Sequence, residues 1–295
     1  MSQLLVKLAE RRTANRFSFD ASDIEAHLKI MDKSDILIPF VPNAIQAHFT
    51  ANRTRRDIVL KSRQVGFTTH CRKDDFVLSQ VEASRQLVIA DKAKNTAKLR
   101  VMNDRFYDNL PERYKLGRKL NNASTTSYAN GSEVSIDTAG GDTAGRASTF
   151  TRLHASEVAF WKNAHDIMTG IMNTLPLNGY AVAESTPNGA VGWFFETFMQ
   201  ALDGDSVWTP HFYEWWWHGE NRLSQAQLIE FNLDILIYPY TDEEKELIAK
   251  HGLDQNQIYW RRYKIKEDPF KFAQEHPEDA YQCFLASGNS DTIRV

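Results

Sequence analysis

The chain has 295 residues, a formal net charge of −3, 42% hydrophobic and 12% aromatic content, enough to bury the core of one large α/β domain or one domain plus a small appendage. This balance excludes a globally basic nucleic-acid binder, so any such contact has to come from a local patch. Cys71 and Cys283, far apart in sequence, give neither a disulfide framework nor a C-x-x-C metal motif and suit a reducing compartment; no apolar run approaches the ~20 residues that span a bilayer.

In chain order, the N-terminal stretch with Leu4, Leu5, Lys7, Leu8, Arg11 and Arg12 is too charged for a secretory segment and reads as a surface amphipathic helix. Strand-like segments follow at 57–60, 86–90, 133–136, 150–155 and 180–183, with helical patterns between several of them; 92–109 is the clearest helix, closed by Leu110-Pro111. Such alternation predicts an α/β fold with a mainly parallel sheet and helices on both faces. Residues 121–145, rich in Asn, Ser, Thr and Gly, read as hairpin and loop. After Trp208 the character changes to Trp215-Trp-Trp217 and polar helical stretches at 224–231, 241–250 and 255–266, predicting a small helical lid or linker subdomain. The expected division is an N-terminal helical segment (1–40), a core (41–210), and the end of the core with the lid (211–295).

The stretch Lys61-Ser-Arg-Gln-Val-Gly-Phe-Thr-Thr69 is a phosphate-loop pattern with its lysine displaced. In G-x-x-x-x-G-K-[ST] the loop amides cradle phosphates, Lys reaches the β/γ oxygens and the hydroxyl holds Mg²⁺. Gly66 and Thr68 fit, Phe67 stands where Lys belongs, and Lys61 stands where the first Gly belongs. A short buried strand at 57–60 precedes the loop and a helix at 68–80 follows it, which is the order this chemistry needs. A loop wrapped around a pyrophosphate brings its ends together, so a lysine entering from the first position can occupy the missing one's place, beside the helix N-terminus. The competing reading is two solvated charges, Lys61 and Arg63, at an ordinary turn.

Further along, Gly145-Arg146 sits on a Gly-rich loop that can carry an arginine toward a phosphate. Glu157 follows the strand at 150–155, just where such sheets bind ligands, and can orient a water attacking a γ-phosphate; equally it is the residue type that complements a helix dipole. His154-x-x-Glu157 with His165 downstream is a weaker metal-pair reading, lacking the two-histidine helical face of a zincin. Tyr180-Ala-Val-Ala-Glu-Ser-Thr-Pro-Asn-Gly189 runs a strand into a turn and delivers Ser185 and Thr186 to the same edge. Pro42-Asn-Ala-Ile-Gln46 places an amide before the first strand, able to give adenine both a donor and an acceptor, although a surface glutamine is the commoner meaning.

Together, PNAIQ, KSRQVGFTT, Gly145-Arg146, LHASEVAFW and AESTPNG, in this order, resemble the ATPase half of the large terminase subunit of tailed bacteriophages, the motor that packages DNA into procapsids. The resemblance covers roughly Pro42 to Gly288. It implies a P-loop NTPase of the ASCE type and an Mg-dependent ATPase that drives double-stranded DNA into a procapsid. It places Gln46 on adenine and Lys61, Ser62, Arg63, Gln64, Val65, Gly66, Phe67, Thr68 and Thr69 around ATP, with Lys61 as the displaced loop lysine and Thr68 on Mg²⁺. Glu157 becomes the catalytic carboxylate, reaching Mg²⁺ through water; Ser185 and Thr186 couple hydrolysis to movement; Arg146 is a candidate arginine finger, in cis or from a neighbour. The implied partners are DNA, a portal protein, a small terminase subunit and further copies in a ring on the procapsid, in the host cytoplasm and without a membrane.

Three departures qualify the resemblance. Phe67 replaces the common lysine; Ser156 replaces the aspartate that usually precedes the glutamate; and only seven residues follow Gly288, with Asp291 their one acidic group, so the family's nuclease domain is not expected in this chain. Two alternatives remain beside the motor: a P-loop module that binds nucleotide or a partner and hydrolyses little, and a helicase-like ATPase, against which stands the lack of a second phosphate-loop-like module. DNA-contacting residues are not identified; Arg53, Arg55, Arg56, Arg72 and Lys73 read as solvated basic clusters.

Overall fold

The computed structural model describes residues 20–140 and 149–287. The expected N-terminal helix, Gly145-Arg146 and the residues from Gly288 lie outside them.

Helix α1 (Ala21–Glu25) is capped by Asp20, whose carboxylate accepts the Ser22 N–H. Strands β1 (Lys29–Met31) and β2 (Leu37–Pro39) pair antiparallel. Helix α2 (Ala44–Asn52) precedes β3 (Arg56–Lys61), α3 (Phe67–Val81), β4 (Arg85–Ala90) and α4 (Ala93–Asp108). Next come β5 (Arg118–Asn121), β6 (Thr125–Tyr128), β7 (Glu133–Thr138), β8 (Arg152–Ser156), α5 (Ala164–Thr174), β9 (Tyr180–Ser185), α6 (Trp193–Leu202) and β10 (Thr209–Tyr213). The rest is helical: α7 (Gln225–Glu230), α8 (Asp242–His251), α9 (Gln255–Glu267), α10 (Phe272–Glu275) and α11 (Gln282–Ser287).

The eight-stranded sheet has the order β10-β3-β9-β8-β4-β7-β6-β5. Strand β3 pairs parallel with β10, and β4 with β7 and β8, whereas β6 runs antiparallel to β5 and β7. This is a mainly parallel α/β sheet, as expected. All five expected strands form, within two residues of their predicted ends. Within the Asn- and Ser-rich stretch expected as hairpin and loop, β6 and β7 pair antiparallel as a hairpin, with Thr126 and Tyr128 turned inward to buried positions. Strand β10 was not expected: it holds Pro210, which a sheet tolerates at an edge.

The chain divides into two compact units. One contains the described residues up to Val41, Thr68–Ser156 and Trp161–Val182. Its core packs Leu99 of α4 on Val88, Tyr128, Val134 and Ile136, and a second cluster joins Ile24 and Leu28 to Phe76, Val77 and Phe106. Arg72 and Lys73, expected as solvated charges, are buried here. Arg72 is 0% exposed and pairs with Asp75 at 2.9 Å, while Lys73 reaches Glu25 at 2.9 Å. Their place on α3 faces them inward, where burial demands partners.

The other unit contains Pro42–Phe67, Glu157–Phe160 and the described residues from Ala183. The tryptophan run anchors its helical part: Trp215 stacks on Trp260 with centroids 4.8 Å apart, and its indole N–H donates to Glu278 at 2.8 Å. Arg261 also meets Glu278 at 2.7 Å, and Arg262 meets Glu244 at 2.6 Å.

Candidate active site

Strand β3 is apolar and buried along Ile58, Val59 and Leu60, and its last residue, Lys61, turns a buried ammonium onto two carboxylates. Lys61 Nζ lies 3.1 Å from Glu157 Oε1 and 3.1 Å from Glu184 Oε2. Glu157 follows β8 directly, with a left-handed backbone at φ 56°. Its second oxygen, Oε2, accepts the Thr186 N–H at 3.4 Å and the Ser185 hydroxyl at 3.5 Å. Ser185 in turn accepts the Ala159 N–H at 3.2 Å. The structure thus brings Lys61, Glu157, Ser185 and Thr186 together.

Electrostatics sharpen the picture. Burial disfavours the Lys61 ammonium, but the charges of Glu157 and Glu184 outweigh it and hold its pKa above the ordinary lysine value. For Glu157 burial wins: its carboxyl sits above the ordinary 4.5, pulled down by Lys61 and pushed up by Glu184. Ionised, the three groups carry one negative charge in excess.

The loop itself is braced from α2. Asn43 and Gln46 form a capping box, Asn43 Oδ1 accepting the Gln46 N–H at 3.0 Å and Gln46 Oε1 accepting the Asn43 N–H at 3.0 Å. Their side-chain amides then donate outward, Asn43 Nδ2 to the Val65 carbonyl at 2.9 Å and Gln46 Nε2 to the Gly66 carbonyl at 2.7 Å. Gly66 has φ +73°, and a Cβ there would stand 2.9 Å from Gln46 Nε2. Glycine is needed for both reasons. Gln64 is left-handed too, at φ 58°.

Phe67 explains the missing lysine. It is buried edge-on to Phe49, centroids 4.8 Å apart, with Tyr213 beyond at 6.2 Å, so this position serves the core. Ser62 and Arg63 are held from the far end of the chain. The Ser62 hydroxyl donates to the Glu275 carbonyl at 3.1 Å, and the Arg63 guanidinium meets Glu275 Oε2 at 2.6 Å. His276 Nδ1 stands 3.3 Å from the Ser62 hydroxyl, and Gln274 donates to Asn188 at 3.3 Å. Of the two basic residues in the loop, Lys61 is therefore the one set against Glu157. Thr68 and Thr69 follow at the start of α3, partly buried. Arg146 lies outside the described residues.

Sequence reasoning missed Glu184. Its trace was present: one charge inside the apolar run Tyr180-Ala-Val-Ala-Glu-Ser185, where burial without a partner is costly. Among the described residues no group of three or more His, Cys, Asp or Glu is arranged to hold a metal, and no helix is long and apolar enough to cross a membrane.

No protein-family profile and no curated protein matches the chain. Solved structures do. The large terminase of bacteriophage HK97 matches with a TM-score of 0.59 at 12% identity, covering 87% of this chain and 54% of that one. The large terminase ATPase domain of Thermus phage P74-26 matches at 0.49 and 15% identity, covering 80% and 93%. The large terminase of a thermophilic bacteriophage, crystallised with ATP-gamma-S, matches at 0.43 and 12% identity, covering 66% and 48%. Of these three, the HK97 match alone exceeds 0.5, and this chain spans about half of that protein's length. Over that span the chain has the fold of a bacteriophage large terminase.

Proposed function

We propose that this chain is an ATP-hydrolysing motor domain that translocates double-stranded DNA into a viral procapsid. The observation that carries the reading is the 3.1 Å contact between Lys61 Nζ and Glu157 Oε1 beside the Gly66 turn. A phosphate loop needs one cation for the β/γ oxygens and one carboxylate for the water, both addressing one phosphoryl group.

In this mechanism the loop amides from Ser62 to Phe67 and the N-terminal turn of α3 cradle the phosphates, and the Lys61 ammonium moves from Glu157 to pair with the γ-phosphate oxygens. Glu157, released from Lys61, orients the attacking water for in-line displacement and accepts its proton. Ser185 and Thr186, on the other Glu157 oxygen, sense that release and pass it to the chain beyond β9. The second amide hydrogen of Gln46 addresses adenine. Arg146 completes the charge compensation from its own or a neighbouring copy.

Metal binding fits the donor set only in company with nucleotide. The Thr68 hydroxyl would be the protein ligand and Glu157 would reach the ion through water; among the described residues no group of three or more His, Cys, Asp or Glu is arranged to hold one alone. When bound, Mg²⁺ neutralises charge on the β- and γ-phosphates. The proposed setting is the host cytoplasm, with copies ringed on the procapsid against a portal protein and a small terminase subunit. Cutting DNA is not assigned to this chain.

The test is phosphate release by the full chain with saturating DNA. Turnover that disappears in Lys61→Ala supports the reading, and near-normal turnover in that variant overturns it. Mixing Glu157→Gln with Arg146→Ala chains separates a shared site from a nucleotide-binding module: recovered turnover in the mixture marks an arginine supplied between copies, whereas wild-type inactivity at every concentration favours the module.

A further inference from the structure

Charge is unevenly distributed along the chain. Residues 92–119 hold nine Lys or Arg against three Asp or Glu, whereas the whole protein has a formal net charge of −3. An imbalance of this size is the electrostatic footprint of a polyanion site when the charges share one surface. Helix α4 buries Leu99, Asn103 and Phe106, and on its outer side Lys94, Lys98, Val101 and Arg105 follow the i, i+4, i+7, i+11 spacing of a single helical face. The two lysines are exposed and Arg105 is half-buried. At the helical rise this row is about 16 Å long. Strand β5, at the edge of the sheet, exposes Lys119 beside it. Two contacts join strand to helix: Arg118 Nη2 lies 2.9 Å from Asp104 Oδ1, and the Arg100 guanidinium donates to Asn121 Oδ1. The acids do not cancel the excess. Asp104 is taken up by Arg118 and by Arg100 at 3.1 Å, and Glu112 by Lys115 at 2.7 Å, while Asp108 stands exposed at the C-terminal end of α4.

We infer that Lys94, Lys98 and Arg105 on α4, with Lys119 on β5, grip the phosphate backbone of double-stranded DNA. The inference deepens the motor reading and rests on it for the choice of DNA. Single strands are held by bases stacked on exposed rings. Here the aromatic residues of α4 are Phe106, which is buried, and Tyr107, whose ring is covered by the Arg118 guanidinium at 3.8 Å. An anionic membrane would need an apolar face to insert, and α4 exposes one large apolar side chain, Val101. A straight row of cations suits a duplex, and contacts confined to phosphates carry no sequence information, as a motor working on any DNA requires.

The experiment is fluorescence anisotropy of a labelled duplex of arbitrary sequence titrated with the full chain across about 50 to 200 mM salt. In K94Q/K98Q/K119Q three lost phosphate contacts should make the slope of log K against log salt shallower by about 2 to 3 and weaken binding by at least about tenfold. Affinity for a fluorescent ATP analogue and turnover without DNA should stay at the wild-type level, since these residues belong to none of the proposed nucleotide contacts, while stimulation of turnover by DNA is lost. K245Q/K250Q, which removes two lysines from the acidic stretch 241–250, is the control and should leave duplex binding unchanged. A loss there equal to that of the triple variant would trace binding to net charge and overturn the inference. Unchanged affinity and slope in the triple variant at wild-type Tm overturn it too, as does tighter binding of a single strand than of the duplex, or binding to vesicles of anionic lipid with none to the duplex. If the triple variant does not fold by circular dichroism, the three single variants replace it, each expected to make the slope shallower by about 1; three unmoved slopes overturn the inference. A chain that grips the duplex through these residues without hydrolysing ATP overturns the ATPase reading and supports this inference. DNA-stimulated turnover and duplex binding that both survive in the triple variant overturn this inference alone.

Discussion

Lys61 Nζ stands 3.1 Å from a carboxylate oxygen of Glu157 and 3.1 Å from one of Glu184, so one ammonium is shared by two acids. Lys61→Ala should therefore do more than stop turnover. It leaves two carboxylates facing each other without their cation, at a cost of about 2 kcal/mol once the partial exposure of Glu157 is allowed for. Urea unfolding should show this loss, and the Lys61→Ala, Glu184→Gln double variant should regain about half of it. Wild-type stability in the single variant would contradict the shared pairing.

Glu157→Gln should bind ATP within a few-fold of wild type and lose turnover by about a hundredfold or more. In the wild type, burial raises the Glu157 carboxyl above the ordinary 4.5. A base must be ionised, so turnover should rise with pH through a limb lying above that value. A limb at or below it would mean that another group is the base.

Gln46 ties the start of α2 to the loop through its bonds to the Asn43 N–H and the Gly66 carbonyl. Gln46→Ala removes half of a capping box and one brace of the loop, an expected loss of about 1 kcal/mol. Amide hydrogen exchange should accelerate at 62–67 and stay unchanged in α9. Unchanged exchange in the loop would show that Asn43 alone suffices.

His276 lies against the loop at Ser62, and burial, reinforced by Lys264 and Arg63, lowers its pKa from 6.5 to about 4. The folded state keeps the ring neutral where the unfolded state takes up a proton. This contribution is complete above pH 6.5 and is lost as pH falls toward 4. The full shift corresponds to roughly 3 kcal/mol, cut to about 2 by partial exposure. His276→Gln should flatten the fall in Tm between those pH values; an equally steep fall would place the titrating group elsewhere.

Much of this was legible before the fold was known. The buried strands announce themselves as apolar runs, and the strand, loop and helix around Gly66 follow from spacing. Contacts between distant segments were not. Glu184 was hidden because one charge in an apolar strand has meaning only once Lys61 lies beside it. Phe67 looked like a defect until Phe49 and Tyr213 surrounded it. Strand β10 escaped because Pro210 argues against a strand anywhere but at an edge, and edge position is a property of topology. Arg72 and Lys73 were read as solvated, since periodicity in a helix with charges on several faces does not say which face is inward.

The φ of 56° at Glu157 has a consequence beyond chemistry. A side chain with a Cβ costs about 1 kcal/mol or more in the left-handed region, where glycine costs little. This particular acid also adds the unbalanced charge beside Lys61. On both counts the residue is a poor choice for the fold, and selection for heat resistance alone would drift away from it. Consensus-style stabilisation of this protein would be drawn to the one position where success on the thermometer would silence the site.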